Sequence, residues 1–342
     1  MEVGMLEFLV LDDGSTDGSL RIMKEFAAAD RRFKIIEKEN TGYGHTMNVG
    51  IDRAKGEYIG ILEPDDFVSP VMFERLYKEA KEYGLDFVKS DFIQFRQETN
   101  KAMREGPVRL APDDSCYHRT LTPGKEKACF FFPINTWTGI YRREFLNAHH
   151  IRHHESPGAS FQDNGFYFQT FCLGEKVRFL PERLYHYRVD NPDSSSLSQG
   201  KERCVTDEFH WIHDWLARDP ALLAEYESIL YDKQYYSMTL TLNRLPAERK
   251  LPYLQHMREE LAEPFRQGKM DRNYLQPEDW ETLEQILEDP EKVCEGLLQK
   301  EAADRAYEKT TGLSRRIQSG VRLLKKQGAA GVVRYIAEKI RG

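Results

Sequence analysis

Short apolar runs alternate with amphipathic helical segments over the first 100 residues, and this alternation constrains the fold more than any other feature of the chain. The predicted strands are Glu7–Leu11, Phe33–Ile36, Tyr58–Leu62 and Asp86–Ser90, and the predicted helices are Ser19–Ala29, His45–Ala54 and Pro70–Tyr83. Strands that alternate with helices are typical of βαβ units. The sequence therefore predicts an α/β fold with a mainly parallel sheet flanked by helices.

An acidic cluster follows the first strand, and ligands of open α/β sheets bind beyond the carboxyl ends of the strands. The carboxylates of Asp12 and Asp13 can accept hydrogen bonds from the N–H and hydroxyl groups of a nucleotide, and Gly14 permits a sharp turn. The alternative is a strand-to-helix turn in which Ser15 or Asp17 caps the next helix. The residues themselves favour neither interpretation.

A second acidic cluster, Glu63-Pro64-Asp65-Asp66, follows the third strand. Its three carboxylates repel one another unless a cation or hydrogen-bond donors lie among them. A hard divalent ion such as Mg²⁺ or Mn²⁺, together with phosphate oxygens of a substrate, would satisfy them. The alternative is an exposed acidic turn before the helix that begins at Pro70.

Two later residues are candidates for chemistry. Ser160 and Asp163 have the spacing of a capping box, so Asp163 can begin a helix that runs to about Leu173. A carboxylate at a helix N-terminus is kept ionised by the helix dipole and can also act as a general base. Arg188, at the end of a strand-like segment that includes His186, can bind a diphosphate, or can simply begin a polar loop.

The C-terminal half has a helical pattern from about Val205 to Tyr307. We expect a domain over residues 1–204, a helical domain over 205–311 and a basic tail over 312–342. Residues 313–342 combine helical apolar spacing with many Lys and Arg residues, which predicts peripheral contact with an anionic membrane surface. The alternative is a helix that packs back on the protein.

Composition excludes several classes of function. Lys and Arg number 49 and Asp and Glu 56, which gives a net charge of −7 and no general reason to expect nucleic-acid binding. No apolar run reaches the roughly 18 residues of a transmembrane helix, and Met1–Leu11 lacks the features of a signal peptide. Scattered cysteines without a C-x-x-C spacing predict reduced thiols. We therefore expect a cytoplasmic protein, with the tail at the inner face of the membrane.

Five strings occur in a recognisable order: LVLDDGSTDGS, ENTGYGHTMNVGI, KGEYIGILEPDDFV, GASFQDNGF and YHYR. Over about residues 5–200 the ordered set resembles family 2 glycosyltransferases of the GT-A fold, especially bacterial enzymes that build surface glycans. The resemblance implies an inverting transfer of sugar from a nucleotide-sugar, on family grounds a UDP-sugar, to a hydroxyl of a glycan or lipid-linked acceptor. The alternatives are a catalytically inactive scaffold and, disfavoured because no Gly-rich basic loop is present, a nucleotidyltransferase.

The resemblance also assigns roles to residues. Asp12 and Asp13 would contact the nucleotide, and Glu63 would lie near the ribose. Asp65 would ligate Mg²⁺ or Mn²⁺, with Asp66 as the following donor-site carboxylate. The catalytic base would be Asp163.

The chain departs from the family pattern at three places. Gln162 replaces the usual Glu before the base, and Met47 stands where many relatives carry Arg, so Asn48 or Arg188 is expected to contact the phosphates instead. Relatives also begin with a strand and a helix that precede the first strand found here. That strand is central in the family's sheet, and a sheet without it would have unpaired backbone groups and a cavity. A truncated gene is the favoured explanation, and the alternatives are another segment that fills the gap and a degenerate relative.

Overall fold

The computed structural model describes residues 6–96, 104–159, 161–191, 200–304 and 306. The strands are β1 (Phe8–Asp13), β2 (Phe33–Lys38), β3 (Tyr58–Gly60), β4 (Phe67–Val68), β5 (Phe87–Arg96), β6 (Arg104–Val108), β7 (Gly139–Arg142) and β8 (Val177–Arg188). The helices are α1 (Ser19–Ala29), α2 (Tyr43–Arg53), α3 (Met72–Tyr83), α4 (Arg143–Ala148), α5 (Gln162–Leu173), α6 (Cys204–Leu216), α7 (Pro220–Arg244), α8 (Ala247–Arg266), α9 (Pro277–Glu288) and α10 (290–304).

The strands form two sheets, and the α/β class is confirmed. A parallel pair consists of β1 and β2, and a six-stranded sheet has the order β3-β7-β5-β8-β4, with β6 also paired to β5. The predicted mainly parallel arrangement is corrected, because only β1–β2 and β5–β8 are parallel whereas β3–β7, β5–β7, β5–β6 and β4–β8 are antiparallel. No α-helix separates β4, β6 or β7 from the strand that precedes it in the chain, so strand–helix alternation did not predict these short strands.

The break between the two sheets falls between β1 and β3. Within the described residues, β1 pairs only with β2, and β3 pairs only with β7. The end of β1 and the end of β3 are connected through the start of α2, where Asp13 bonds to the Thr41 and Gly42 amides and Tyr43 bonds to Glu63.

The centre of the six-stranded sheet is the β5–β8 pair, which is packed between helices. Phe87 and Val88 of β5 and Phe179 of β8 are fully buried, and Leu76 of α3 and Phe171 of α5 pack in the same core. Nine of the twelve residues of α5 are buried, so α5 is enclosed on nearly all sides. The first turn of α5, which carries Asp163, is therefore held on a rigid element.

The chain divides into two compact units. One contains the described residues up to Arg244 together with Glu259–Trp280, and the other contains Leu245–Arg258 and the described residues from Glu281 onward. The helical region expected from residue 205 is present, since α6 begins at Cys204. The proposed domain limits at residues 204 and 311 remain predictions.

Two expectations concern membranes. Every helix in the described ranges is too short or too polar to cross a bilayer. The basic tail over residues 312–342 lies outside the described residues, and so does Ser160 of the expected capping box.

Asp232 on α7 makes stability depend on pH. Its side chain is 0% exposed and accepts a hydrogen bond from the Asp271 N–H at 3.1 Å, and burial raises its pKa to about 7 from 3.8. Because the folded state binds this proton more tightly than the unfolded state, the carboxyl group destabilises the fold progressively as pH rises from about 4 through about 7. Asp232→Asn keeps an acceptor for Asp271, so we expect a higher melting temperature above pH 7 and little change near pH 4.

Thermal melts between pH 4 and pH 8 measure this effect. Asp214→Asn is the control, since the Asp214 side chain is 81% exposed and its change should leave the pH profile intact. Parallel pH profiles for wild type and Asp232→Asn would contradict the prediction.

Candidate active site

The end of β1 is a tight turn that buries Asp12. Asp12 is 4% exposed, and its Oδ1 accepts a hydrogen bond from the Ser15 N–H at 3.2 Å. Gly14 has φ +78°, and an added Cβ would lie 2.9 Å from the Asn40 nitrogen, so the turn requires glycine. The turn predicted at Gly14 is confirmed, and it presents the Asp12 carboxylate at the end of the strand.

Asp13 connects β1 to the start of α2. Its carboxylate accepts hydrogen bonds from the Thr41 N–H at 3.0 Å and the Gly42 N–H at 3.1 Å, and it pairs with the Lys38 ammonium. Burial alone would raise the pKa of Asp13, but these bonds outweigh burial and hold it below its ordinary value. Both carboxylate oxygens thus have internal partners, so Asp13 supports the loop before α2, and its predicted contact with a nucleotide stays a prediction.

The first residue of α2, Tyr43, joins two parts of the site. The Tyr43 hydroxyl donates to Glu63 Oε1 at 2.8 Å, and the Tyr43 N–H donates to the Gly158 carbonyl at 2.9 Å. Gly42 has φ +92°, and a Cβ there would lie 2.8 Å from the Gly158 nitrogen. The absence of a side chain at Gly42 therefore lets α2 approach the segment that leads to α5.

Glu63 of the second acidic cluster interacts electrostatically with Asp163. Burial raises the pKa of Glu63 to about 7, the Tyr43 hydrogen bond offsets part of this rise, and the charges of Asp66, Asp65 and Asp163 add to it. The pKa of Tyr187 is likewise raised, first by burial and then by Asp66, Asp65 and Asp163 among its neighbours. Glu63 and the Tyr187 hydroxyl therefore lie within electrostatic range of both Asp65 and Asp163, and a site shared by the two aspartates stays a prediction.

Asp66 is held by β8. The Tyr185 hydroxyl donates to Asp66 Oδ2 at 2.8 Å and accepts from the Glu63 N–H at 3.1 Å, and the Arg188 N–H donates to Asp66 Oδ1 at 2.7 Å. Burial nevertheless raises the pKa of Asp66 to about 6. The Arg188 guanidinium bonds to Asp190 at 2.9 Å, so only the backbone of Arg188 contacts the acidic cluster.

Asp65 has the carboxylate most available to a cation. The Asn191 amide donates to Asp65 Oδ2 at 2.7 Å, while Oδ1 accepts no hydrogen bond from the residues that the structure describes. Within those residues, no three His, Cys, Asp or Glu side chains are grouped as metal ligands. Mg²⁺ is commonly held by one or two carboxylates and completed by substrate phosphates. Asp65 therefore fits a cation that arrives with a diphosphate.

Asp163 lies in the first turn of α5, after Phe161 in the left-handed conformation with φ +64°. The residue is half-buried. Burial raises the pKa of Asp163, the backbone amides of Asp163 and Asn164 oppose this rise, and so do the charges of Lys233 and Lys89. The helix start predicted at Asp163 is confirmed by α5, which begins at Gln162.

The helix α6 supports the start of α5 through Glu208. Glu208 is 1% exposed, accepts from the Gly165 N–H at 3.0 Å and bonds to His154 Nδ1 at 2.8 Å. The His154 ring stacks on Trp211 with centroids 5.1 Å apart. Sequence reasoning missed Glu208, because it lies 43 residues from Gly165 and only packing brings the two together.

Aromatic rings lie beside the acidic cluster. Trp137 stacks on Tyr187 with centroids 4.9 Å apart and packs against Tyr185 at 4.4 Å. The aromatic residues of the LYHYR segment were a signal for this surface, but Trp137 comes from a loop without regular pattern. His186, read from the sequence as a strand residue, stacks on Phe67 at 4.2 Å where β4 pairs with β8.

Asn48 is committed to internal hydrogen bonds. Its amide nitrogen donates to the His153 carbonyl at 2.9 Å and to Glu155 at 2.9 Å, and its Oδ1 accepts from the His153 N–H at 2.8 Å. These bonds tie α2 to the segment before α5. A phosphate contact by Asn48 stays a prediction and would require one of these bonds to open.

A cavity of about 410 Å³ lies away from this site, among α6, α7 and the residues around Glu260 and Lys269. Its lining is helical and includes none of the residues at the ends of β1 and β3. We place the candidate active site at the acidic strand ends, because the hydrogen-bonded carboxylates converge there.

The fold is an α/β domain of the GT-A type, with acidic residues at the ends of its strands. Residues 4–153 match the family described as Glycosyl transferase family 2. The matched family is the one that the ordered motifs resemble.

The chain is similar to glycosyltransferases in sequence and to a solved structure in fold. The chain is 31% identical to the uncharacterized glycosyltransferase EpsJ of Bacillus subtilis over 197 residues, which are 55% of this chain and 54% of that protein. It is 29% identical to EpsH of the same organism over 187 residues, 54% and 52% of the two chains. The chain thus spans about half the length of these relatives. The crystal structure of S. aureus TarS 1–349 in complex with UDP-GlcNAc superposes with TM-score 0.63 at 16% identity and covers 86% of this chain and 83% of that chain, a likeness of fold.

The Tyr185 hydroxyl links the two acidic positions, so we expect Tyr185→Phe to destabilise the protein. The change leaves Asp66 and the Glu63 N–H without this partner, and an unmade buried hydrogen bond costs about 1–3 kcal/mol. Urea unfolding followed by circular dichroism measures the loss. Tyr187→Phe is the matched control, since the Tyr187 hydroxyl makes no hydrogen bond with the described residues. Equal stability of the two variants would argue against the bridging role.

Proposed function

We propose that this chain is an inverting glycosyltransferase that moves a sugar from a nucleotide-sugar to a hydroxyl of an acceptor glycan or lipid-linked glycan in bacterial surface-polysaccharide synthesis. The observation that carries the proposal is the acidic cluster in which Glu63 and Asp66 share the Tyr185 hydroxyl, while Asp65 and Asp163 help to raise the pKa of Glu63. Residues 4–153 of the same chain match family 2 glycosyltransferases. A UDP-sugar is the proposed donor, and the UDP-GlcNAc named for the TarS structure supports that choice.

In the proposed reaction the acceptor hydroxyl attacks the anomeric carbon of the donor sugar. The new C–O bond forms as the bond to the diphosphate breaks, and Asp163 takes the proton from the hydroxyl. A base and an acceptor on the face opposite the leaving group give inversion. Holding donor and acceptor in line supplies much of the remaining rate.

Negative charge develops on the diphosphate as it leaves, and a positive charge is needed to neutralise it. Asp65 is the residue that would hold Mg²⁺ or Mn²⁺ there, and such an ion would neutralise the charge that develops on the diphosphate. Asp12 and Glu63 are the proposed contacts to the nucleoside, while Asp13 and Tyr43 keep the loops that carry them in place. Asp66 holds the end of β8 beside the donor site.

The proposed place of action is the cytoplasmic face of the cell membrane, where lipid-linked acceptors are available. The basic residues of the 313–342 tail support peripheral contact, because each such residue adds roughly 1 kcal/mol near an anionic surface.

Asp163→Asn tests the proposed base. An amide cannot accept the proton, so we expect release of UDP from UDP-GlcNAc or other UDP-sugars in the presence of acceptor to slow by about 100-fold or more. The affinity for UDP, measured by isothermal titration, should be largely unchanged because Asp163 is not assigned to the nucleotide. Normal turnover in Asp163→Asn would remove this residue from the mechanism.

Asp65→Asn tests the proposed cation ligand. Loss of one charged ligand should weaken the binding of UDP in the presence of Mn²⁺ by about tenfold or more and should leave metal-free binding of UDP nearly unchanged. Isothermal titration with and without Mn²⁺ measures both, and Asp114→Asn, with a side chain 95% exposed, is the control. Failure of the wild-type protein to bind UDP under any condition would favour the inactive-scaffold alternative.

A further inference from the structure

Two lysines are buried beside the first turns of α5, and neither contacts a carboxylate among the residues that the structure describes. Lys89 on β5 is 1% exposed, and its ammonium donates to the Asn135 carbonyl and lies 3.3 Å from the Tyr141 hydroxyl. Lys233 on α7 is 0% exposed, and its ammonium donates to the Phe130 carbonyl. A buried ammonium is costly unless a compensating charge is near. Burying these two ammonium groups costs free energy that their hydrogen bonds to neutral groups do not offset.

Both ammonium groups lie against the same ring on α5. The nitrogen of Lys89 is 5.6 Å and that of Lys233 is 4.7 Å from the centroid of the Tyr167 ring. Tyr167 follows Asp163 by four residues within α5, and residues at that spacing share one face of a helix. The two lysines, which come from a strand and from a helix far apart in sequence, thus meet at the face of α5 that carries Asp163.

We propose that Lys89 and Lys233 are positioning residues that keep Asp163 ionised by placing two positive charges at the ring of Tyr167, the residue one helical turn after Asp163 in α5. The inference rests on the proposed role of Asp163 as the base. Without these charges a half-buried carboxylate would tend to take up a proton and could not accept another from the acceptor hydroxyl.

The electrostatics of the site support this assignment. Lys233 and Lys89 both lower the pKa of Asp163 against the rise that burial causes. Burial lowers the pKa of each lysine to about 7, and the charge of Asp163 opposes that fall. Four further described groups interact with the charge of Asp163. Two are carboxyl groups, which do not favour its ionised form, and two are neutral tyrosines: Glu63, Glu208, Tyr43 and Tyr187. Among these neighbours the two lysines are the cations.

The test is a direct titration of Asp163 that needs no substrate. Protein labelled with ¹³C at the aspartate carboxyl groups is titrated by NMR, and the Asp163 resonance is assigned as the signal that Asp163→Asn removes. In Lys89→Gln and in Lys233→Gln, which keep a hydrogen-bond donor but lose the charge, we expect Asp163 to titrate about one pH unit higher than in the wild type. The double variant should show a larger shift.

Matched variants separate charge from structure. Lys250→Gln removes an equally buried lysine, 2% exposed and paired with Glu301, and should leave the titration of Asp163 unchanged. Lys89→Arg keeps the charge and should also titrate like the wild type. If one glutamine variant does not fold, the other carries the test alone.

Unchanged titration of Asp163 in the folded glutamine variants would overturn the inference. Glutamine keeps the hydrogen-bond donor of the lysine and removes its charge, so this result would mean that the lysines act only through structure. A shift in Lys250→Gln as large as in Lys89→Gln would overturn it as well. Since the titration uses no donor or acceptor, its result is independent of whether the chain transfers sugar, and turnover of Asp163→Asn tests that separately.

Discussion

Hydrogen bonds at the start of α2 hold the candidate active site together. The Asp13 carboxylate accepts the amides of Thr41 and Gly42, which lie just before the helix. Amides at a helix N-terminus lack partners within the helix, and a carboxylate satisfies both their hydrogen bonding and the positive end of the helix dipole. Tyr43 then bonds to Glu63 and to the backbone of Gly158. One short segment thereby ties the end of β1 to the end of β3 and to the approach to α5, although β1 and β3 belong to separate sheets.

The electrostatics of the site follow from that assembly. Burial raises the pKa of Glu63 to about 7 and that of Asp66 to about 6, and the charges of neighbouring carboxylates add to both rises. Hydrogen bonds from Tyr43, Tyr185 and the backbone of Arg188 compensate in part. Asp65 has the least internal compensation. A bound cation would bring positive charge to this acidic cluster, which agrees with its proposed use in binding a cation and a diphosphate.

Rigid elements carry the chemically important side chains. The buried pair β5–β8 supplies Lys89 from one strand and Tyr185 from the other, and the enclosed helix α5 supplies Asp163. The helices α6 and α7 contribute Glu208 and Lys233 to the surroundings of α5. Helices that follow the α/β domain in sequence are therefore part of the structural support of its proposed base.

The sequence by itself determined the local elements and the acidic strand ends. Helix α1 spans Ser19–Ala29 as predicted, and Gly14 and the first turn of α5 lie where turn and helix-start patterns placed them. These features depend on periodicity and on backbone preferences that neighbouring residues encode. The tertiary structure alone decided that the six-stranded sheet has both parallel and antiparallel pairs and that Asp13 and Asn48 form hydrogen bonds within the protein. It also decided that Glu208, Lys89 and Lys233 lie beside α5. The reason is physical: these contacts join residues tens of positions apart, and their partners are chosen by the packing of whole elements, which no local pattern records.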